Sequence, residues 1–231
     1  MKNLDESLLA SIPPFRKLQR QQIREILDQA QPKRIDSGNA IFDQGMPATH
    51  FYLLLDGHIR VVKNTTVGDQ VIVLHIASGQ LFGIAVALGK DEYPASAIAA
   101  RECLTLSWPN ELWAEFVDKY DGFATETYKV VGDRIGEMNN RLVELATRHV
   151  EQRVAAVLLR LINQAGKKVA TGIEIDFPIT RQNISEMTGT TLHTVSRLLS
   201  GWERDGIVVS KRSNITITQP HQLVLLSGVD G

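Results

Sequence analysis

Thr180-Arg-Gln-Asn-Ile-Ser-Glu-Met-Thr-Gly-Thr-Thr-Leu-His-Thr-Val-Ser-Arg-Leu-Leu199 decides the architecture of this chain. Apolar Ile184, Val195 and Leu198 stand where two short crossed helices need to touch, and Ser185 is small at the crossing. Gly189 supplies the permissive backbone of a tight turn, and Thr190 and Thr191 offer hydroxyls to start the next helix. That helix then presents Leu192, His193, Ser196 and Arg197 outward. Ser, His and Arg side chains in such a row hydrogen-bond base edges in a major groove, so the segment reads as a DNA-binding helix-turn-helix. The competing reading is an ordinary helical hairpin with a surface arginine.

The flanking sequence completes this module. Thr147 to Gln164 has an inward row of Val150, Val154, Val157, Leu158 and Leu161, and Gly166 ends it. Residues 173–179 read as a strand and turn. Gly206-Ile-Val-Val, the polar Lys211-Arg-Ser-Asn and Ile215-Thr-Ile form a β-hairpin wing, with Lys211 and Arg212 placed to meet phosphates or simply to be solvated. Upstream, Phe123–Ala146 is a long helix whose Val131, Ile135, Met138, Leu142 and Leu145 follow four–three spacing. That spacing is an a/d seam, which predicts pairing with the same helix of a second copy.

Before this helix the texture differs. Short β-prone runs recur at 40–43, 50–55, 58–63, 71–76, 96–99 and 104–108, punctuated by Gly45, Gly57, Gly68 and Gly79. An antiparallel roll that encloses a pocket is predicted. Pro13 and Pro14 interrupt helical residues 4–30, and Pro109 suits the first turn of a helix through Glu111, Leu112, Trp113 and Phe116. The fold class is therefore α+β: sensor roll with its helices at 1–122, dimerisation helix at 123–146, winged helix-turn-helix at 147–231.

Composition sets the outer bounds. The 231 residues carry a net charge of -1, yet from Thr147 onward 10 Lys+Arg face 7 Asp+Glu. A basic C-terminal module beside an acidic remainder suits DNA contact at one end. With no signal peptide or long apolar run, a cytoplasmic location and no membrane partner are expected. Cys103 is the only cysteine, which excludes an intrachain disulfide or a four-cysteine iron–sulfur or zinc site. Without a basic cluster around it in sequence it reads as a buried structural thiol. A metal enzyme on such a roll wants His-x-His, which is missing, so enzyme chemistry is not expected.

Residues 179–208 (ITRQNISEMTGTTLHTVSRLLSGWERDGIV) and 42–61 (FDQGMPATHFYLLLDGHIRV) resemble the CRP/FNR superfamily of bacterial transcription regulators over nearly the whole chain. The resemblance implies a cyclic-nucleotide-binding-type roll, a homodimer on double-stranded DNA and contact with RNA polymerase. Cyclic-AMP-binding members use a Glu for the ribose and an Arg-Ser pair for the phosphate. Here Phe82-Gly83-Ile84-Ala85 places Ile84 at the Glu position, and Tyr93-Pro94-Ala95-Ser96 places Pro94 at the Arg position. An enclosed phosphate without a cation is strongly disfavoured, so cyclic AMP is not expected to bind in the usual way. The pocket segment is apolar, with Phe82, Gly83, Ile84, Ala85 and Ser96 as its candidate lining.

Residues 189–203 (GTTLHTVSRLLSGWE) resemble the regulators of nitrogen-oxide reduction in denitrifying bacteria, the NnrR group. That resemblance implies a response to nitric oxide through haem. His50, His58 and His75 lie in the roll, and His75 is the favoured axial ligand. Two alternatives stay open: a regulator controlled by its own abundance, and one that answers a different small apolar ligand. In FNR-like members a Glu, a Ser and an Arg read a TTG half-site. Ser196 and Arg197 match, while His193 replaces the Glu. Thr180, Arg181, Thr191 and Thr194 match positions that hold phosphates. The implied operator is a TTG…CAA-like inverted repeat, and activation is the implied outcome.

Overall fold

A computed structural model describes residues 4–228. Helices α1 (Ser7–Ala10) and α2 (Arg20–Asp28) precede strands β1 (Gln31–Ile35), β2 (Ala40–Phe42), β3 (His50–Asp56), β4 (His58–Asn64), β5 (Gln70–Ala77) and β6 (Leu81–Phe82). Strands β7 (Ser96–Ala99) and β8 (Cys103–Pro109) lead to α3 (Leu112–Lys119), α4 (Phe123–Thr147) and α5 (Val150–Ala165). Strands β9 (Gly166–Val169) and β10 (Gly172–Ile175), helices α6 (Arg181–Thr188) and α7 (Leu192–Arg204), strands β11 (Val208–Lys211) and β12 (Asn214–Ile217), and α8 (Pro220–Ser227) complete the chain. Among the described residues no helix is long and apolar enough to cross a membrane.

The expected roll is present as two four-stranded sheets, ordered β1-β8-β3-β6 and β2-β7-β4-β5. Every registered pair in it is antiparallel. One core joins the helices to the first sheet: Phe15, Ile26, Phe51, Trp108, Phe116 and Phe123 are almost fully buried. Burying each such side chain contributes about 1.5–3 kcal/mol. Trp108 keeps its indole N–H satisfied by donating to Ile26 O at 2.9 Å. A second core lies between the sheets and contains Leu54, Ile59, Ile76, Phe82 and Ala97. Cys103 is buried there, as read from sequence; burial raises its thiol pKa, and Sγ donates to His58 O at 3.4 Å.

Pro109 departs from expectation. It closes β8, paired with His50, rather than opening a helix, and α3 begins only at Leu112. A proline at the last strand position forfeits little, because the ladder ends there. Strand β1 is an addition to the expected set.

Helix α4 runs unbroken for 25 residues, with Glu126 buried near its start. That carboxylate accepts from Arg16 at 2.7 Å and Lys129 at 3.2 Å, and Lys17 lies 3.3 Å away. By compactness the chain falls into two units. Residues up to Asn64 with Leu74–Glu137 form one, and Thr65–Val73 with the residues from Met138 onward form the other. The core of the second unit is built from Val154, Leu158 and Leu161 of α5 with Ile184, Val195, Leu199, Trp202, Val208, Ile217 and Leu223. Its sheet has the order β11-β12-β10-β9, so the wing hairpin continues a four-stranded sheet.

Candidate DNA-binding interface and effector cavity

The helix-turn-helix is assembled by short-range hydrogen bonds. Thr180 caps α6: its Oγ1 accepts from Asn183 N at 3.1 Å, and Asn183 Oδ1 accepts from Thr180 N at 3.0 Å. This reciprocal pair satisfies two otherwise orphaned donors. Gly189 ends α6 at φ +62°, in the left-handed region that a residue with Cβ enters at a cost. Ser185, buried at the crossing, donates from Oγ to Thr190 O at 2.6 Å and so ties the turn to α6. Thr191 then caps α7 by accepting from Thr194 N at 3.2 Å.

Ile184 and Val195 are fully buried, as expected from sequence. Leu198 is not the third member of that contact. It is half-buried, and Leu199 takes the inward position at 0% exposure. One residue of rotation on a helix is about 100°, enough to exchange the two leucines. The outward row keeps its predicted membership: His193 and Arg197 are exposed, one turn apart, with Ser196 half-buried beside them.

Arg181 is drawn inward. Its guanidinium donates to Ser200 Oγ at 3.3 Å and pairs with Glu203 at 3.3 Å, and Glu203 also accepts from Ser210 N at 3.1 Å. This residue therefore connects α6, α7 and the wing. Thr180, Thr191 and Thr194 lie at the amino ends of α6 and α7, where backbone N–H groups and the helix dipole favour an anion. Lys211 and Arg212 are exposed at the wing tip. Lys211 registers with Asn214, leaving a two-residue loop, and both loop residues have positive φ: Arg212 +45°, Ser213 +70°. Tight hairpins demand that conformation, which Asn-Gly adopts far more readily than Arg-Ser. Ser213 O accepts from Ile179 N at 2.7 Å, which holds the loop against the entry to α6.

On α4 the expected seam is an exposed apolar stripe. Ile135, Met138, Leu142 and Leu145 are 53%, 50%, 64% and 49% exposed, and Tyr128 extends the series by one heptad. Val131 instead packs partly against the roll core.

Inside the roll a cavity of about 120 Å³ is lined by Phe82, Gly83, Ile84 and Ala85, as predicted. Ser96 is not part of it. That serine is buried in β7 with Oγ accepting from Gln44 N at 2.9 Å, and Pro94 and Ala95 line the cavity instead. The aromatic side is tightly fitted: Gly83 sits at φ +63°, and a Cβ there would lie 2.8 Å from Tyr52 Cδ2. Burial and a hydrogen bond to Tyr93 raise the Tyr52 pKa. Arg134 of α4 also reaches the cavity and donates from Nη2 to Leu81 O at 2.7 Å. Sequence reasoning missed it, because Arg134 stands 53 residues from Leu81 and carries no local mark of the roll segment it meets.

His75 does not face this cavity. Its strand neighbours Leu74 and Ile76 line it, and side chains alternate along a strand, so the imidazole lies on the opposite face of β5. There His75 Nδ1 is 2.8 Å from His58 Nε2 in a buried pair. Burial, Arg101 and Arg60 push the His58 pKa down to about 3. His50 has its Nδ1 2.9 Å from Thr49 Oγ1. No histidine is among the cavity-lining side chains described, so these residues do not fit an axial haem ligand at this cavity. Among the described residues no group of three His, Cys, Asp or Glu side chains forms a metal cluster.

Similar proteins share both halves of this arrangement. Residues 32–120 match the family model of the cyclic nucleotide-binding domain, and residues 152–226 match that of the Crp-like helix-turn-helix domain. The fumarate and nitrate reduction regulatory protein of Vibrio cholerae is 26% identical over 208 residues, covering 90% of this chain and 82% of that protein. A CRP-like cAMP-activated global transcriptional regulator of Mycobacterium tuberculosis is 20% identical over 218 residues, covering 94% and 97%. Among solved structures, FixK2 of Bradyrhizobium japonicum superposes with a TM-score of 0.76 at 21% identity, over 87% of this chain and 99% of that one.

Proposed function

We propose that the protein is a DNA-binding transcription regulator of the CRP/FNR type, since a cyclic nucleotide-binding domain and a Crp-like helix-turn-helix are matched in one chain, and that it works as a homodimer on a TTG…CAA-like inverted repeat. The observation that carries this reading is the outward row on α7. Arg197 is exposed, and among the described residues no hydrogen bond or ion pair holds it back from a guanine, whose O6 and N7 accept the two-pronged guanidinium. His193, one turn before it, accepts or donates through a ring nitrogen, so the base next to that guanine is read more loosely than a carboxylate would read it. The exposed heptad stripe of α4 supports the second copy. Two recognition helices related by a two-fold axis then meet half-sites about one helical turn apart.

The roll is the regulatory half in this reading. Ile84 and Pro94, standing where a ribose-binding Glu and a phosphate-binding Arg are expected, speak against cyclic AMP in the usual pose. The haem-borne response to nitric oxide, and with it a place in denitrification, is left without an iron ligand at the cavity, because His75 is turned away and hydrogen-bonded to His58. We therefore favour the alternative of a small ligand with an apolar body. Activation through RNA polymerase follows from the family.

Fluorescence anisotropy tests the core of the proposal. The purified protein should bind a TTG…CAA inverted repeat far more tightly than the same bases scrambled, with two chains per duplex. Equal affinity for both duplexes would overturn it.

A further inference from the structure

The roll cavity is walled mostly by carbon. Phe42 and Tyr93 stack with ring centroids 3.8 Å apart, and Phe82 stacks on Phe42 at 6.1 Å. The Tyr93 hydroxyl is already used: it donates to His50 O at 2.7 Å and accepts from His50 N at 3.2 Å. Arg134 breaks the pattern. A guanidinium has five N–H donors in a fixed fork, and here the carbonyl of Leu81 takes one of them. Among the described residues Arg134 forms no ion pair; the acidic group that acts on it is Glu137, at longer range on its own helix. Desolvation lowers its pKa to about 10, so it stays charged at neutral pH.

A cation turned to an apolar cavity without a counter-ion is an unfavourable arrangement that an incoming anion would relieve. We propose that the cavity binds an organic acid with an apolar, ring-sized body, whose anionic group pairs with Arg134. The proposal rests on the reading of the roll as the regulatory half. The shape of the wall favours a flat or aliphatic body over a sugar, because ring hydroxyls would find no free side-chain partner among Phe42, Phe82, Ile84 and Ala85. Each hydroxyl buried without a partner costs about 1–3 kcal/mol. The cavity volume of about 120 Å³ is close to the roughly 150 Å³ of an apolar cavity that takes up benzene, so it suits a single ring or a short chain. Arg134 also gives the ligand a direct hold on α4: the next residue, Ile135, belongs to the exposed stripe.

The test uses the full chain with 3-phenylpropanoate and octanoate as probes, their alcohols 3-phenylpropan-1-ol and octan-1-ol as neutral counterparts, and cyclic AMP. Binding is read by calorimetry and thermal melting. Both acids should bind, with at least one held about tenfold more tightly than its alcohol, a factor worth about 1.4 kcal/mol. Arg134→Met should bring acid and alcohol to the same affinity. Leu88→Trp, at the 49% exposed cavity rim, should weaken acid binding without costing the fold, and its indole emission should respond to the acid. Equal binding of acid and alcohol by the unaltered protein would overturn the pairing with Arg134 and leave the cavity as a ligand site. Tighter binding of cyclic AMP than of either acid would overturn the ligand class. Acid binding indifferent to both substitutions would overturn the location. Absence of binding by every probe, with operator affinity unchanged by all of them, would overturn both the acid and the regulatory reading of the roll.

Discussion

His58 Nε2 and His75 Nδ1 lie 2.8 Å apart with both rings buried, so one imidazole must donate and the other accept. Two neutral rings satisfy that bond, and a proton added to His58 would sit in a desolvated place beside Arg101 and Arg60. The His58 pKa is about 3 in the folded chain and about 6.5 when unfolded. Between those values the unfolded chain holds more protons. Stability from this group is therefore complete above pH 6.5 and is lost as pH falls toward 3, at about 1 kcal/mol per pH unit. Urea midpoints at pH 7.5 and 5.5 should differ in the unaltered protein and converge in His58→Asn. An undiminished difference in the variant would mean that other groups set the acid response.

Arg197→Ala removes the base-reading fork and leaves the phosphate contacts. Operator affinity should drop by about 1–3 kcal/mol, while affinity for random DNA changes little. Equal losses on the two duplexes would make Arg197 a phosphate contact.

Leu142→Glu places a charge in the middle of the α4 stripe, at a side chain 64% exposed in the single chain. Sedimentation should show dimer giving way to monomer, with melting of the roll preserved. Operator binding should weaken together with self-association. A variant that remains dimeric would move the interface elsewhere.

The wing tip tests a local strain. Ser213 holds φ +70° and Arg212 +45°, in a region that costs a residue with Cβ about 1–2 kcal/mol. Ser213→Gly should stabilise the protein by up to about 1 kcal/mol after glycine's unfolded-state entropy is counted. Arg212→Ala should lower affinity on every DNA sequence alike and reduce the salt dependence by about one counter-ion.

Gly83→Ala brings a Cβ against Tyr52 and forces a left-handed φ, so chemical denaturation should show a loss of about 1–3 kcal/mol. If stability is unchanged, the aromatic side of the cavity is looser than its packing implies.

Local chemistry made much of this fold readable in advance. A glycine at the turn, a threonine ahead of the second helix and a heptad row each act within a few residues, and the cap at Thr191 and the turn at Gly189 lie where those signals placed them. Side-chain direction inside the roll was harder. Val71-Ile-Val-Leu-His-Ile is apolar at nearly every position, so no alternation reveals which face carries His75. Strand β1 is exposed at Gln31, Pro32, Lys33 and Arg34 and buried only at Ile35, which gives an edge strand no periodic signature. Leu198 and Leu199 are adjacent and chemically alike, and only the roll of α7 about its axis separates them. Arg134 was beyond reach for a different cause: its role is set by a contact with residues distant in sequence.

Helix α4 touches the cavity through Arg134 and offers Ile135 on its open side. One consequence is thermodynamic reciprocity. Whatever factor an occupied cavity applies to self-association, self-association must apply to cavity affinity. The dose of ligand needed for half-occupancy would then depend on how many copies of the chain a cell holds, and the protein would report a product of two concentrations instead of either one alone.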